Sequence, residues 1–146
     1  MPRVLMVCLG NICRSPMAEA VLAARRPTWT VDSAGTGAWH VGNRPDPRTI
    51  EELRRHGITT AHRARQVRPQ DSHDFDLILG MDQANLMNLR PLLDPTGHAT
   101  IGLLGDYDPQ GASEVADPYY DGPEAFAAIY TQIARCVDGL TARHGT

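Results

Sequence analysis

The sequence predicts an α/β fold, an open doubly wound sheet of four parallel strands with helices on both faces. Two observations carry this. Short apolar, β-branched runs alternate with helix-like runs along the whole chain, the pattern of parallel β-α-β units with right-handed crossovers. The length, 146 residues, suits one domain, taken as 1–146. A third observation places function. The segment CLGNICRSP joins the first strand to the first helix, and doubly wound sheets bind ligands at the carboxyl ends of their strands.

The elements follow in order. RVLMVC (3–8) is apolar enough for a buried strand. Helix signals run from Pro16 to about Arg26, with Ser15 as a candidate N-cap and Pro16 in the first position. TWTVDSA (28–34) reads as the second strand. Asp46 and Pro47 open a second helix that Gly57 closes. FDLILG (75–80) is the third strand, and a helix runs from Asp82 to about Leu93. ATIGLL (99–104) is the fourth strand. Asp121 and Pro123 open the last helix, whose apolar positions recur at helical spacing. Residues 35–45 and 105–121 are the longest irregular stretches and are candidate functional loops.

Composition narrows the function. Hydrophobic content of 42% and charged content of 21% are those of a soluble globular protein. No stretch approaches the ~18 apolar residues of a membrane span, and no secretory signal is evident. A net charge of −3 gives no general attraction to nucleic acid, so any affinity for anions must be local. Three cysteines do not make a disulfide scaffold, and Cys8 and Cys13 lack zinc-site spacing. A nucleophilic thiol suits a reducing cytoplasm.

Cys8 and Arg14 bracket five residues at the strand-to-helix turn. Wrapped around an oxyanion, this segment directs backbone N–H groups inward, and the helix N-terminus adds its positive end. Arg14 can fork two N–H bonds onto two phosphoryl oxygens. Gly10 and Asn11 tolerate the positive φ that such a nest needs. In this field a thiol pKa can fall from about 8.5 to roughly 3.5–7.5, making Cys8 a nucleophile. The alternative is an inert core cysteine beside a surface arginine.

VCLGNICRSPMAEA resembles the signature of the low-molecular-weight protein tyrosine phosphatases. SAGTGAWHVG (33–42), DPRT (46–49), HGI (56–58), ARQV (64–67), FDLILGMDQANL (75–86) and DPYYDG (117–122) follow in that family's order. The resemblance implies strand order 2-1-3-4 and hydrolysis of phosphotyrosine through a cysteinyl-phosphate. Cys8 would be the nucleophile, with Arg14 gripping the phosphoryl oxygens. The chain has Asp-Pro pairs at 46, 94, 108 and 117, and composition cannot choose an acid among them. The resemblance selects Asp117, whose extended conformation Pro118 enforces. It further implies a substrate site formed by Leu9, Gly10, Asn11, Ile12, Cys13, Ser15, Trp39, Tyr119 and Tyr120. Trp39 and Tyr119 would sandwich a phenyl ring. The Ser15 hydroxyl would bond the thiolate, and Ser33 and His62 would brace Asn11. Cys13 would be a redox partner for Cys8, whereas Cys136 reads as core. Expected partners are tyrosine-phosphorylated proteins, with phosphate or another oxyanion in the site. No metal or other cofactor is expected, nor nucleic acid, nor membrane.

Three rivals differ in chemistry. Relatives that take phosphoarginine resemble CTGNTCRSP, with threonine where Ile12 stands here. Arsenate reductases of this fold need relay cysteines, and 75–95 has none. A binding module without catalysis would lack the nucleophile or acid, whereas Cys8 and Asp117 are both present. His40, beside Trp39, departs from the family pattern and bears on substrate preference.

Overall fold

The computed structural model describes residues 2–144. Four strands, β1 (Arg3–Cys8), β2 (Thr30–Gly35), β3 (Leu77–Gly80) and β4 (Thr100–Leu103), form one parallel sheet. Their order is β2-β1-β3-β4, as the resemblance implied. The helices are α1 (Arg14–Arg25), α2 (Pro47–Arg55), the short α3 (Asp71–Asp74), α4 (Gln83–Leu89) and α5 (Pro123–His144). No described helix is long and apolar enough to cross a membrane.

Two-residue alternation divides the core. Val4, Met6 and Cys8 of β1 join Met17, Val21, Leu53, Phe126 and Ile133 in a cluster that includes α1, α2 and α5. Leu5 and Val7 turn to the other face, against Ile78, Leu86 and Leu89 of β3 and α4. β1 is therefore buried on both faces and lies between β2 and β3. Its carboxyl end, Cys8, sits at the point where the strand order reverses.

Some boundaries differ from those expected, each for a local reason. Residues 26–29 form a turn, with Trp29 N–H donating to the Arg26 carbonyl at 3.0 Å, so β2 starts later than position 28. Pro91 has no N–H, and α4 gives way to a 3₁₀ turn at Arg90–Leu92 instead of reaching Leu93 as α-helix. Asp46 caps α2 as expected, accepting from Arg48 N–H at 2.9 Å. Gly57 follows at φ 74°. Ser15 is not the cap of α1. The helix starts at Arg14 with Cys13 in the cap position and no side-chain cap bond. The Ser15 hydroxyl lies 2.9 Å from Cys8 Sγ instead.

Candidate active site

The turn from Cys8 to Ser15 is a loop whose carbonyls are held from outside. Cys8 O accepts from Thr36 N–H at 3.0 Å and Leu9 O from Gly37 N–H at 2.9 Å. Ile12 O accepts from Asp46 N–H at 2.8 Å, and Cys13 O from Thr49 Oγ1 at 3.2 Å. In a trans peptide the next N–H points opposite to its carbonyl. The amides of Leu9, Gly10, Cys13 and Arg14 therefore face away from these partners. β2 must approach closely to make these bonds. A Cβ on Gly35 would lie 2.8 Å from Leu9 O and 3.2 Å from Asn11 Cβ.

Asn11 adopts φ 57°, the only positive φ outside glycine among the described residues. Its side chain is 1% exposed and organises the base of the loop. The backbone N–H of Arg65 donates to Asn11 Oδ1 at 3.0 Å. A backbone amide can only donate, which fixes the side-chain amide's orientation. Nδ2 then donates to Ser15 Oγ at 2.8 Å and to Ser33 Oγ at 3.0 Å. The Ser15 proton is left for Cys8 Sγ, and the Ser33 proton goes to Glu19 Oε1 at 2.6 Å. Asn11 N–H also donates to Cys8 Sγ at 3.3 Å. The sulfur thus receives two hydrogen-bond donors, one from a side chain and one from the backbone.

The same logic sets the state of His62. Its Nε2 sits 2.7 Å from Asn11 Oδ1 and must carry a proton. Nδ1 then faces Glu19 Oε1 at 3.1 Å. Burial pushes the Glu19 carboxyl up to about 7 and holds His62 below its usual value. Both directions put the shared proton on Glu19. Glu19, Asp32 and His62 place one ligand-type atom each within 4.8 Å of one another. Their bonding is already closed, since Arg65 Nε donates to Asp32 Oδ2 at 3.1 Å.

A cavity of about 260 Å³ opens over the loop, lined by Cys8, Leu9, Gly10, Ile12, Cys13 and Arg14 below and by Trp39, His40, Asp117, Tyr119 and Tyr120 around the rim. Arg14 is 3% exposed. Its Nη1 donates to Asp82 Oδ2 at 2.7 Å and to Val115 O at 3.0 Å, and its Nη2 lies 3.9 Å from Asp117 Oδ2. Asp117 Oδ1 accepts from Tyr119 N–H at 3.1 Å. Burial, with a lesser contribution from Asp46, pushes the Cys13 thiol up to about 12.

The residues expected at the site thus fall into two layers. Cys8, Leu9, Gly10, Ile12, Cys13, Arg14, Trp39, Asp117, Tyr119 and Tyr120 line the cavity. Asn11, Ser15, Ser33 and His62 lie beneath it as one bonded set. No sequence signal marks Asp82 and Val115 as holders of Arg14, or Glu19, Asp32 and Arg65 as the groups behind His62. Asp82 does carry a helix-start signal, and it forms a reciprocal capping box with Asn85. Nothing in the spacing points it at Arg14, 68 positions away.

Comparison with known proteins gives concordant matches. The profile described as low molecular weight phosphotyrosine protein phosphatase matches residues 3–144. A protein of that name from Schizosaccharomyces pombe is 49% identical over 141 residues, covering 90% of this chain and 89% of the relative. The crystal structure of Primo-1 superposes with a TM-score of 0.91 at 41% identity, covering 100% of both chains. The crystal structure of DARP, described as drosophila arginine phosphatase, superposes with a TM-score of 0.90 at 38% identity, covering 99% of this chain and 98% of that one.

Proposed function

The chain belongs to the low molecular weight phosphotyrosine protein phosphatase family, and from that premise we propose how its residues share the reaction. The enzyme hydrolyses phosphotyrosine in proteins. Cys8 attacks phosphorus in line and displaces the tyrosyl oxygen. Asp117 gives that oxygen a proton, because a phenolate leaves poorly from a thiolate-attacked phosphoryl group. Water, deprotonated by Asp117, then hydrolyses the cysteinyl-phosphate. Arg14 and the loop amides hold the equatorial oxygens throughout. Ser15 stabilises the sulfur as attacking and as leaving thiolate. The cavity residues carry the whole positive charge, so the scheme uses no metal.

One observation supports this assignment most directly. The cavity that contains Cys8 also brings the Arg14 guanidinium to 3.9 Å from the Asp117 carboxylate. Nucleophile, oxyanion clamp and proton donor therefore share one cavity of about 260 Å³. Trp39 and Tyr119 stand at its rim as the walls of a slot for the ring, with Ile12 and Leu9 as apolar floor.

DARP, as a structural neighbour, favours a second substrate, phosphoarginine. Ile12 opposes it, since an apolar side chain at the slot suits a phenyl ring better than a guanidinium. A parallel assay on phosphotyrosine, phosphoserine and phosphoarginine peptides separates the readings. Phosphotyrosine should turn over fastest, and Cys8→Ser should abolish turnover while inorganic phosphate still binds. Substantial activity in Cys8→Ser would remove the thiol mechanism.

The protein acts in a reducing compartment, the cytoplasm, where its free cysteines stay reduced. Peroxide converts the Cys8 thiolate to a sulfenic acid, and the Cys13 thiol condenses with it to a disulfide and water. The high Cys13 pKa makes that condensation slow near neutral pH and faster as pH rises. Dithiol rescue that survives unchanged in Cys13→Ser would reduce Cys13 to packing.

A further inference from the structure

Arg48, in the first turn of α2, touches more of the site than its distance from the cavity floor suggests. Its guanidinium forks onto its own helix cap, Nε to Asp46 Oδ1 at 3.0 Å and Nη2 to Asp46 Oδ2 at 2.9 Å. The same group reaches the segment that carries Asp117. Nη1 donates to Asp121 O at 2.6 Å and Nη2 to Tyr119 O at 2.9 Å. It also lies 4.4 Å over the Phe126 ring and 5.9 Å from the Tyr119 ring. On its other side, the same helix turn holds the nucleophile loop. Asp46 N–H donates to Ile12 O at 2.8 Å, and Thr49 Oγ1 to Cys13 O at 3.2 Å.

The acid segment has few other restraints. They are the Asp117–Tyr119 turn, Asp121 N–H to Pro118 O at 2.9 Å, Ala125 N–H to Gly122 O at 3.0 Å, and Arg14 Nη2 at 3.9 Å from Asp117 Oδ2. Val115 is anchored to Met81 O at 2.9 Å upstream, and α5 begins at Pro123 downstream. Between these anchors, the Asp117 side chain is 44% exposed.

We infer that Arg48 is a positioning residue for the reaction, a strut that fixes the Asp117 carboxyl against the Cys8 cradle by gripping the carbonyls of Tyr119 and Asp121. The inference rests on Asp117 being the acid. Arg48 touches no reacting atom. It joins the two halves of the chemistry through one rigid helix turn. A planar five-donor fork is needed to serve one carboxylate and two carbonyls together, which lysine cannot do.

The competing reading is that Arg48 only covers Phe126. A double-mutant cycle separates them. Arg48→Gln, Asp117→Asn and the double variant are compared by single-turnover phosphorylation of Cys8, with phosphotyrosine and with p-nitrophenyl phosphate. Arg48→Gln should lose roughly 10-fold with phosphotyrosine, by misplacing the acid, and clearly less with the activated ester. In the Asp117→Asn background it should cost nothing further. Inhibition by inorganic phosphate should stay unchanged, because the cradle is intact. Arg48→Lys, which keeps the charge and the stacking stem, should fall between wild type and Arg48→Gln, and it carries the cycle if the Gln variant does not fold. Equal losses for both leaving groups, or losses that multiply with those of Asp117→Asn, would overturn the strut. If Asp117→Asn itself shows no leaving-group dependence, the acid assignment fails, and that result is read from the single variant alone.

Discussion

The two loops that meet at the cavity are built to opposite specifications. The cradle from Cys8 to Ser15 has carbonyls bonded to the chain just after β2 and to α2 and its cap. Beneath it lie Asn11, Ser15 and Ser33, each at most 1% exposed. The acid segment from Asp117 to Gly122 is mostly exposed, with Tyr120 at 93%, and takes its main restraint from a side chain on another element. The difference matches the work. Groups that stabilise transition-state charge act through preorganisation and must not move as charge develops. A proton donor at the mouth must let the substrate in and the phenol out, and such steps use lightly held loops. Substitutions in the cradle should therefore be severe and substitutions on the outer acid segment mild, away from Asp117.

Arg14→Lys tests the cradle first. The buried guanidinium meets Asp82 and Val115 O through Nη1 and faces Asp117 at the cavity through Nη2. Lysine keeps the charge and loses the fork. The loss in kcat/KM should be on the order of 10²-fold or more, ~3 kcal/mol of transition-state binding. A near-wild-type Arg14→Lys enzyme would show that the cradle is no more demanding than its exposed neighbour.

The second test reaches the base of the cradle through pH. Glu19 is raised from 4.5 to about 7, chiefly by burial, so the native state holds a proton that the unfolded chain releases. The sign is that of a raised carboxyl. Its contribution is complete below pH ~4.5 and is lost as pH rises through about 7. The full swing is on the order of 3 kcal/mol. Glu19→Gln stays neutral at every pH. In urea denaturation, its stability relative to wild type should rise between pH ~4.5 and ~7 and level off above. A flat difference would mean that folding does not raise the Glu19 carboxyl.

How much of this was legible in the sequence follows the same division. The cradle is local, and its order Cys8, Gly10, Asn11, Arg14, Ser15 exposes both its chemistry and its positive φ in one contiguous stretch. Even there Ser15 reads as a helix cap, because Ser-Pro before an apolar run is a start signal. The hydroxyl goes to the sulfur because the helix has already begun at Arg14. Strand positions were readable from apolar runs, whereas their order came from the family resemblance. Contacts across long sequence separations left no trace. Arg14 with Asp82, Glu19 with His62, and Arg48 with Tyr119 and Asp121 each depend on how α1, α2 and α4 are placed around the sheet. The acid segment is least legible, since Asp-Pro occurs four times and only the one at 117 reaches the cavity lining.

The smallest expected effect lies at the outer edge of that segment. Tyr120 is 93% exposed and meets Tyr119 edge-on, with centroids 5.0 Å apart at 90°. Such a pair contributes about 0.5–1.5 kcal/mol when buried, and here one ring is almost wholly in water. Tyr119 has more to lose, since its ring faces both the cavity and the Arg48 guanidinium. Tyr120→Ala should leave folding stability within about 0.5 kcal/mol of wild type, as for most surface substitutions. Turnover of p-nitrophenyl phosphate should stay within roughly 2-fold, because Asp117, Cys8 and Arg48 are untouched. Tyr119→Ala should raise KM for phosphotyrosine more than it lowers kcat, by removing a wall and leaving the reacting groups in place. The informative case is a large effect at Tyr120. A loss approaching that of Arg14→Lys would mean that the acid segment is as tightly coupled as the cradle. The contrast would then be one of exposure alone, and Arg48 would be one of several restraints on a rigid loop.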